Sequence, residues 1–410
     1  MIIPPPNLMN IIFLCGCLEP GRDGVGDYTR RLAGELIRQG HLASIVALND
    51  PHVKERFDKD EKQAGENMPD VQILDGTAVP VLRLSRSMTW SNRMQLGKGF
   101  IDSFNPDWLS LQVVPYSFHP KGLPFGLPGR LKILGKGRKW HVMFHELWLG
   151  LVRGSSFRQL LMGWFQRRCV EQVLDGIRPA VINTSNSFYQ ALLSSHGIEA
   201  EILPLYGAFG IETDVKCEAC LSILTTLENA SRTTQKSIRM VIFGSLNGGF
   251  PFSEFLRVAK SLRARLNVSI DIVSIGNAGE RRIWESWEEI SKQNEGIRLH
   301  AIGPLSPKQI RFLMSIMDCG IAMTPLEGWG KSSAIAAMLE SGLPVFGFEG
   351  NLAPPGLRWK FEQDNESGVY HMSSICQFDL GSLKRKPQSM LQNTYRKFAS
   401  SLEKHSSLKC

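Results

Sequence analysis

The 410-residue chain has no unbroken apolar run of about 18 residues, the length a helix needs to cross a bilayer. Its N-terminal apolar stretch, Ile11-Ile12-Phe13-Leu14, is too short for a secretory signal and follows no basic segment. The expectation is a cytoplasmic protein. Cysteine is sparse: Cys15, Cys17, Cys169, Cys217, Cys220, Cys319, Cys376 and Cys410 are scattered. That excludes a disulfide-stapled scaffold and reads as free thiols in a reducing compartment. The single C-x-x-C, Cys217 and Cys220, lacks a second pair or a histidine run, so a helix face with two small apolar thiols is a plainer reading than zinc. No sign of charge dominates. With 47 basic and 39 acidic residues the net charge is +8, and 43% of residues are hydrophobic, which excludes a disordered polyelectrolyte. The basic excess suits anionic partners: phosphorylated small molecules, an acidic membrane surface or nucleic acid. No nucleic-acid recognition module is present and the basic residues are confined, so nucleic acid is set aside.

What is present is a repeated alternation of strand and helix patterns over a length suited to two domains. Strands are expected at 11–14, 43–48, 81–84, 108–113, 142–144 and 180–183, with a helix over 28–39 ending at Gly40. The alternation restarts with strands at 240–244, 270–275, 298–302, 319–323 and 344–348. Helices are expected between them at 253–266, 281–293, 307–317 and 331–341. Strand, helix, strand in this order implies parallel sheets. The fold class is therefore α/β, with two doubly wound Rossmann-like domains facing across a cleft. Their bounds are 1–206, a connector over 207–237 with a helix at 218–229 and a polar run at 231–237, then 238–380, then a helix and tail over 381–410. The closing helical pattern, 389–404, fits either a solvated tail or a segment packed on the first domain.

Two loops carry chemistry. Pro20-Gly21-Arg22-Asp23-Gly24-Val25-Gly26-Asp27 follows the first strand and opens the first helix, where glycines permit close backbone approach and free N–H groups attract negative charge. The G-x-G-x-x-G spacing is absent, which weakens a dehydrogenase reading with Asp50 as ribose acceptor. The second loop, Glu327-Gly328-Trp329-Gly330-Lys331-Ser332-Ser333, joins an apolar strand to an apolar helix. It offers N–H donors, an ammonium and two hydroxyls, all suited to a diphosphate. It is not a Walker A loop, because the first glycine of that motif would fall on Pro325. The plainer alternative is an N-capping serine beside a solvated lysine. His145 ends an apolar strand, where a parallel sheet presents groups to its ligand edge.

These pieces resemble the GT-B nucleotide-sugar glycosyltransferases, in particular the large retaining group. The resemblance rests on Gly24-Val25-Gly26-Asp27-Tyr28, Asn105-Pro106-Asp107-Trp108 with Leu111-Gln112-Val113, Phe144-His145-Glu146, and Glu327-Gly328-Trp329-Gly330 with Ser341-Gly342-Leu343-Pro344. It implies transfer of a sugar from a nucleoside diphosphate sugar, without metal or cofactor, in polysaccharide, glycolipid or related cell-surface synthesis. It also implies that His145 sits by the transferred sugar and Glu327 contacts its hydroxyls, as catalytic candidates. Gly26, Gly330, Lys331, Ser332 and Ser333 become diphosphate candidates. Gly24, Asp27, Gly244, Asn247, Gly328 and Trp329 become donor or acceptor cleft candidates. Two departures stand out. The family's second glutamate falls on Ile335 counted from Glu327, or on Ala337 counted back from Pro344, and neither grips a ribose. The loop Gly244-Ser245-Leu246-Asn247-Gly248-Gly249-Phe250 lacks the family's cation, and Lys331 is the expected substitute. A catalytically silent GT-B binding or scaffold protein and a GT-B epimerase are the rival readings. Cations mixed with aromatics over 121–168 suit the anionic inner face of a membrane carrying a lipid-linked acceptor, against a merely solvated basic face.

Overall fold

A computed structural model of the chain describes residues 8–53, 70–207, 210, 225, 236–276, 281–354 and 356–406. The expected helix over 218–229, Thr225 apart, the cysteines Cys217, Cys220 and Cys410, and most of the polar run lie outside the described residues. The chain divides into two compact units: Met1–Pro204 with Leu352–Arg358 and Leu391–Cys410, and Leu205–Asn351 with Trp359–Met390.

Among the described residues the first unit forms an eight-stranded sheet. Its strands are β1 (Asn10–Cys15), β2 (Leu42–Asp50), β3 (Asp70–Leu74), β4 (Thr77–Ser85), β5 (Trp108–Val113), β6 (Lys139–Phe144), β7 (Val181–Thr184) and β8 (Glu201–Ile202). The order is β3-β4-β2-β1-β5-β6-β7-β8. Only the edge pair β3 and β4 is antiparallel. That hairpin, absent from the sequence reading, turns at Asp75 and Gly76, both at positive φ (49° and 73°). Asp-Gly is the dipeptide that tolerates two left-handed residues in succession and matches the twist of a hairpin. The central strand β1 buries Ile11, Ile12, Phe13 and Leu14 completely, as a parallel strand covered on both faces must.

The second unit repeats the scheme with β9 (Ser237–Phe243), β10 (Ser269–Ile275), β11 (Ile297–Gly303), β12 (Cys319–Ile321), β13 (Val345–Gly347) and β14 (Val369–His371). All pairs are parallel, in the order β11-β10-β9-β12-β13-β14. This is the doubly wound order of a dinucleotide-type domain, and its strand order reverses at β9. In the first unit the reversal falls at β1, between β2 and β5. Ligands of such sheets sit beyond the carboxyl ends of the strands at that point.

The last helix, Met390–Ser406, is a packed element of the first unit from Leu391 onward. Phe398 and Leu402 are fully buried. Phe398 stacks on Phe13 with ring centroids 5.8 Å apart and meets His141 edge-on at 5.0 Å. Thr394 Oγ1 donates to the Pro204 carbonyl at 2.9 Å, and Trp108 Nε1 donates to Ser406 Oγ at 3.1 Å. Removing so buried a ring leaves a cavity that the sheet closes poorly, so Phe398→Ala is expected to cost about 3–5 kcal/mol. Urea unfolding measures this, and a loss below about 1 kcal/mol contradicts the packing role.

Candidate functional site

At the carboxyl end of β9 the chain makes a turn that only glycine enters without strain. Gly244 has φ +98° and Gly276, after β10, has φ +116°. A Cβ on Gly276 would lie 3.3 Å from Gly244 Cα, so the two loops touch backbone to backbone. On its other side, a Cβ on Gly244 would lie 4.0 Å from Ala334 Cβ, in the first turn of the helix Ser333–Glu340. Asn247 joins the same place: its Nδ2 donates to the Met323 carbonyl beyond β12 at 3.3 Å, and its Oδ1 accepts from Gly249 N at 2.9 Å. The structure thus brings together Gly244, Asn247 and the start of that helix at the switch point of the second sheet.

The glycine-tryptophan turn is built differently from the expected single helix over 331–341. Leu326–Lys331 is a 3-10 helix, and the α-helix begins two residues later at Ser333. Ser332 ends one and caps the other. Its Oγ accepts from Ile335 N at 3.3 Å and from Thr324 Oγ1 at 3.3 Å, so this hydroxyl is a helix cap. Lys331 and Ser333 are exposed, while Gly328 and Gly330 are buried and Trp329 is half-buried. Lys331 folds back over Gly328: a Cβ there would sit 3.4 Å from Lys331 Cε and 3.2 Å from Thr324 Cγ2. Glu327 is buried, and its Oε2 accepts from Gly350 N at 2.9 Å, which fixes the carboxylate at the end of β13.

In the first unit the glycine loop is shorter than its sequence suggests, because the helix Gly24–Arg38 starts inside it. Asp23 is the cap, its Oδ1 accepting from Gly26 N at 2.7 Å. Asp27 accepts from Gly21 N at 3.2 Å and pairs with Arg30. The helix start that was expected to attract phosphate through Gly26 is therefore occupied by the chain's own carboxylates. Gly26 serves close packing instead: a Cβ would lie 2.7 Å from the Cys17 carbonyl oxygen. Gly24 has open space around it. Asp50, the ribose acceptor of the dehydrogenase alternative, is fully buried. Its carboxylate accepts from Leu18 N, His52 N and Arg83 Nε at 3.0, 3.0 and 2.8 Å.

His145 follows β6 and is buried, with the Tyr28 ring edge-on at 4.9 Å, which links it to the first helix. Its Nε2 meets Gln112 Oε1 at 2.8 Å. Behind Gln112 runs a line of polar side chains that sequence reasoning passed over. Gln112 Nε2 donates to Ser110 Oγ at 2.8 Å, Ser110 Oγ meets His141 Nδ1 at 2.7 Å, and His141 Nε2 meets Asn183 Oδ1 at 2.9 Å. The signal was polar residues at alternate positions of largely buried strands: Ser110 and Gln112 on β5, His141 on β6 with His145 just beyond it, Asn183 on β7.

Solved structures place this architecture. Anabaena HepE in complex with UDP-glucose matches with a TM-score of 0.51 at 12% identity, over 97% of this chain and 100% of that one. A glycosyltransferase from Rickettsia africae matches with a TM-score of 0.50 at 13% identity, over 97% and 94%. No protein-family model matches the chain, and no curated protein is similar to it in sequence. The fold is that of the GT-B nucleotide-sugar glycosyltransferases, with two Rossmann-like units.

Burial pushes His145 down to about 3, with the neighbouring His141 adding to the shift, and burial pushes His141 down to about 4 against the hydrogen bond to Asn183. Both are neutral in the folded chain and titrate near 6.5 when it unfolds. Below about pH 6.5 the unfolded state binds more protons, so stability is full above that value and falls as pH drops. The fall is about 1.4 kcal/mol per pH unit for each histidine until the folded values are reached. Urea unfolding at pH 7.5 and 5.5 is expected to show this loss, and His141→Gln to make it shallower. A variant with the same pH slope contradicts the assignment.

Proposed function

We propose that this chain transfers a sugar from a nucleoside diphosphate sugar to a glycan or lipid-linked acceptor, with retention at the anomeric carbon and no divalent metal. The observation that carries the reading is the convergence of Gly244, Asn247 and the start of the helix Ser333–Glu340 beside Lys331. A diphosphate seated there meets first-turn N–H groups, the positive end of the helix dipole, the Ser333 hydroxyl and the Lys331 ammonium. These supply the charge that the cation-free loop after β9 lacks. They stabilise the diphosphate most as it leaves, when its charge grows. Glu327, held by Gly350, is positioned to accept hydrogen bonds from sugar hydroxyls. His145, neutral and rigidly held, suits a positioning role better than that of a base.

The test is a thermal-shift panel of nucleotides and nucleotide sugars, followed by donor hydrolysis and transfer assays. Lys331→Glu is expected to weaken nucleoside diphosphate binding by about tenfold or more, on the scale of a charged hydrogen bond. Unchanged binding in this variant rules out the diphosphate seat. One observation favours a silent scaffold instead. Ile335 and Ala337, where a ribose-gripping glutamate belongs, are both buried in the core. The nearby Glu340 is engaged elsewhere, accepting from Gly207 N at 3.1 Å and Met390 N at 2.9 Å. Nucleotide binding without turnover over the whole panel selects that reading.

The acceptor side carries a surface suited to lipid. On the helix Phe157–Ile177 an apolar stripe at helical spacing faces outward: Phe157, which is 80% exposed, then Leu160, Leu161, Trp164 and Phe165. Leu149 and Val152 extend it, and the exposed cations Arg153, Arg158 and Arg168 flank it. We assign an anionic bilayer as its partner, since aromatics enter the interface while arginines meet the headgroups. No helix among the described residues is long and apolar enough to cross a membrane. The chain is expected to float with phosphatidylglycerol vesicles and not with phosphatidylcholine ones. Phe157→Ser with Trp164→Ser is expected to cut flotation several-fold, and equal flotation of this variant contradicts the assignment.

A further inference from the structure

Ser110, Gln112, His141 and Asn183 lie on one face of the first sheet. In register, Ser110 is opposite His141, and Met143 is opposite both Gln112 and Asn183. The closing helix covers this face through Phe398, whose ring meets His141. All four side chains are buried, away from water that could satisfy them, so they must satisfy one another.

Their donor and acceptor roles follow from the far end of the line. Asn183 Nδ2 lies 3.1 Å from the Glu201 carbonyl oxygen, which only accepts. The amide nitrogen of Asn183 therefore faces β8, and its oxygen faces His141 Nε2, which must carry a proton. Neutral His141 then has its lone pair on Nδ1, so Ser110 donates to it. With its one hydrogen spent, Ser110 Oγ accepts from the Gln112 amide nitrogen, and this turns Gln112 Oε1 toward His145 Nε2. A carbonyl oxygen there requires an N–H on His145 Nε2. Every donor points the same way, from His145 to Glu201, an arrangement in which successive bonds reinforce one another.

We infer that Ser110, Gln112, His141 and Asn183 are positioning residues that lock His145 as its Nε2–H tautomer. The lock leaves Nδ1 as an acceptor, so that His145 receives a hydroxyl and not an anion. The tautomer stands on the hydrogen-bond geometry together with the neutrality of buried His141. That the hydroxyl belongs to a sugar rests on the glycosyltransferase reading.

The experiment is long-range nitrogen–proton NMR of the full chain labelled in histidine, with the His145 and His141 signals assigned by substituting each. The expected result is a single Nε2–H tautomer at both positions, unchanged by inorganic phosphate. Ser110→Ala breaks the line in its middle, and His145 is expected to become a mixture of tautomers. Ser110→Thr, which keeps the hydroxyl, is expected to restore the single form. If Ser110→Ala does not fold, Gln112→Met makes the same comparison by removing the acceptor itself. A proton on His145 Nδ1 in the natural chain overturns the inference. So does a folded Ser110→Ala or Gln112→Met chain with an unaltered His145 tautomer, or a His145 shift produced by phosphate. None of these readouts needs turnover, so an inactive protein leaves the tautomer result standing.

Discussion

Backbone contact between Gly244 and Gly276 is the constraint on which the second unit's candidate site depends. With φ of +98° and +116°, these two residues let the loops after β9 and β10 touch, and a Cβ on Gly276 would meet Gly244 Cα at 3.3 Å. On its other side Gly244 faces the first turn of the helix Ser333–Glu340, where a Cβ on it would lie 4.0 Å from Ala334 Cβ. Any larger residue at either position would strain the backbone, and at Gly276 it would also crowd the backbone of Gly244. The helix is held from its other side as well, since Ser332 caps it and Leu326 N donates to the Phe348 carbonyl at 2.8 Å. The site's geometry is thus a property of strand ends and helix starts, which are rigid, rather than of a long loop.

The first unit solves a different problem. Its sheet must bury polar side chains that end beside His145, and a buried polar group is tolerable only when its partners are complete. The line from His145 to the Glu201 carbonyl completes them across four strands, and the closing helix seals them with Phe398. The start of the first helix is likewise closed on itself, through Asp23 and Asp27. One unit therefore offers an electropositive helix start and the other a neutral, oriented imidazole.

Much of the fold was legible in the sequence because parallel strands buried on both faces read as plain apolar runs. The expected strand at 108–113 coincides with Trp108–Val113, and the restart at 240–244 falls on β9. The edge hairpin was not seen although part of β4 was expected as a strand over 81–84, since largely exposed β3 carries a weak apolar signal and only Asp75-Gly76 marks the turn. In the site, the place of the glycine-tryptophan turn was readable from glycines beside a lysine. Its inner construction was not, because the choice between Ser332 as ligand and Ser332 as cap depends on where the 3-10 turn ends. Gly26 misled for a related reason. A glycine admits close approach, but the sequence does not say whether a phosphate or the Cys17 carbonyl approaches it. The polar line was hidden because its members are far apart in the chain and each alone is ordinary.

The most direct measurement is a crystal structure of the chain with a bound nucleoside diphosphate. The account predicts diphosphate oxygens within hydrogen-bond reach of the Ser333 hydroxyl and the Lys331 ammonium, beside Gly244. Diphosphate found at the first helix, against Gly24 to Asp27, or anywhere remote from the end of β9, would contradict it.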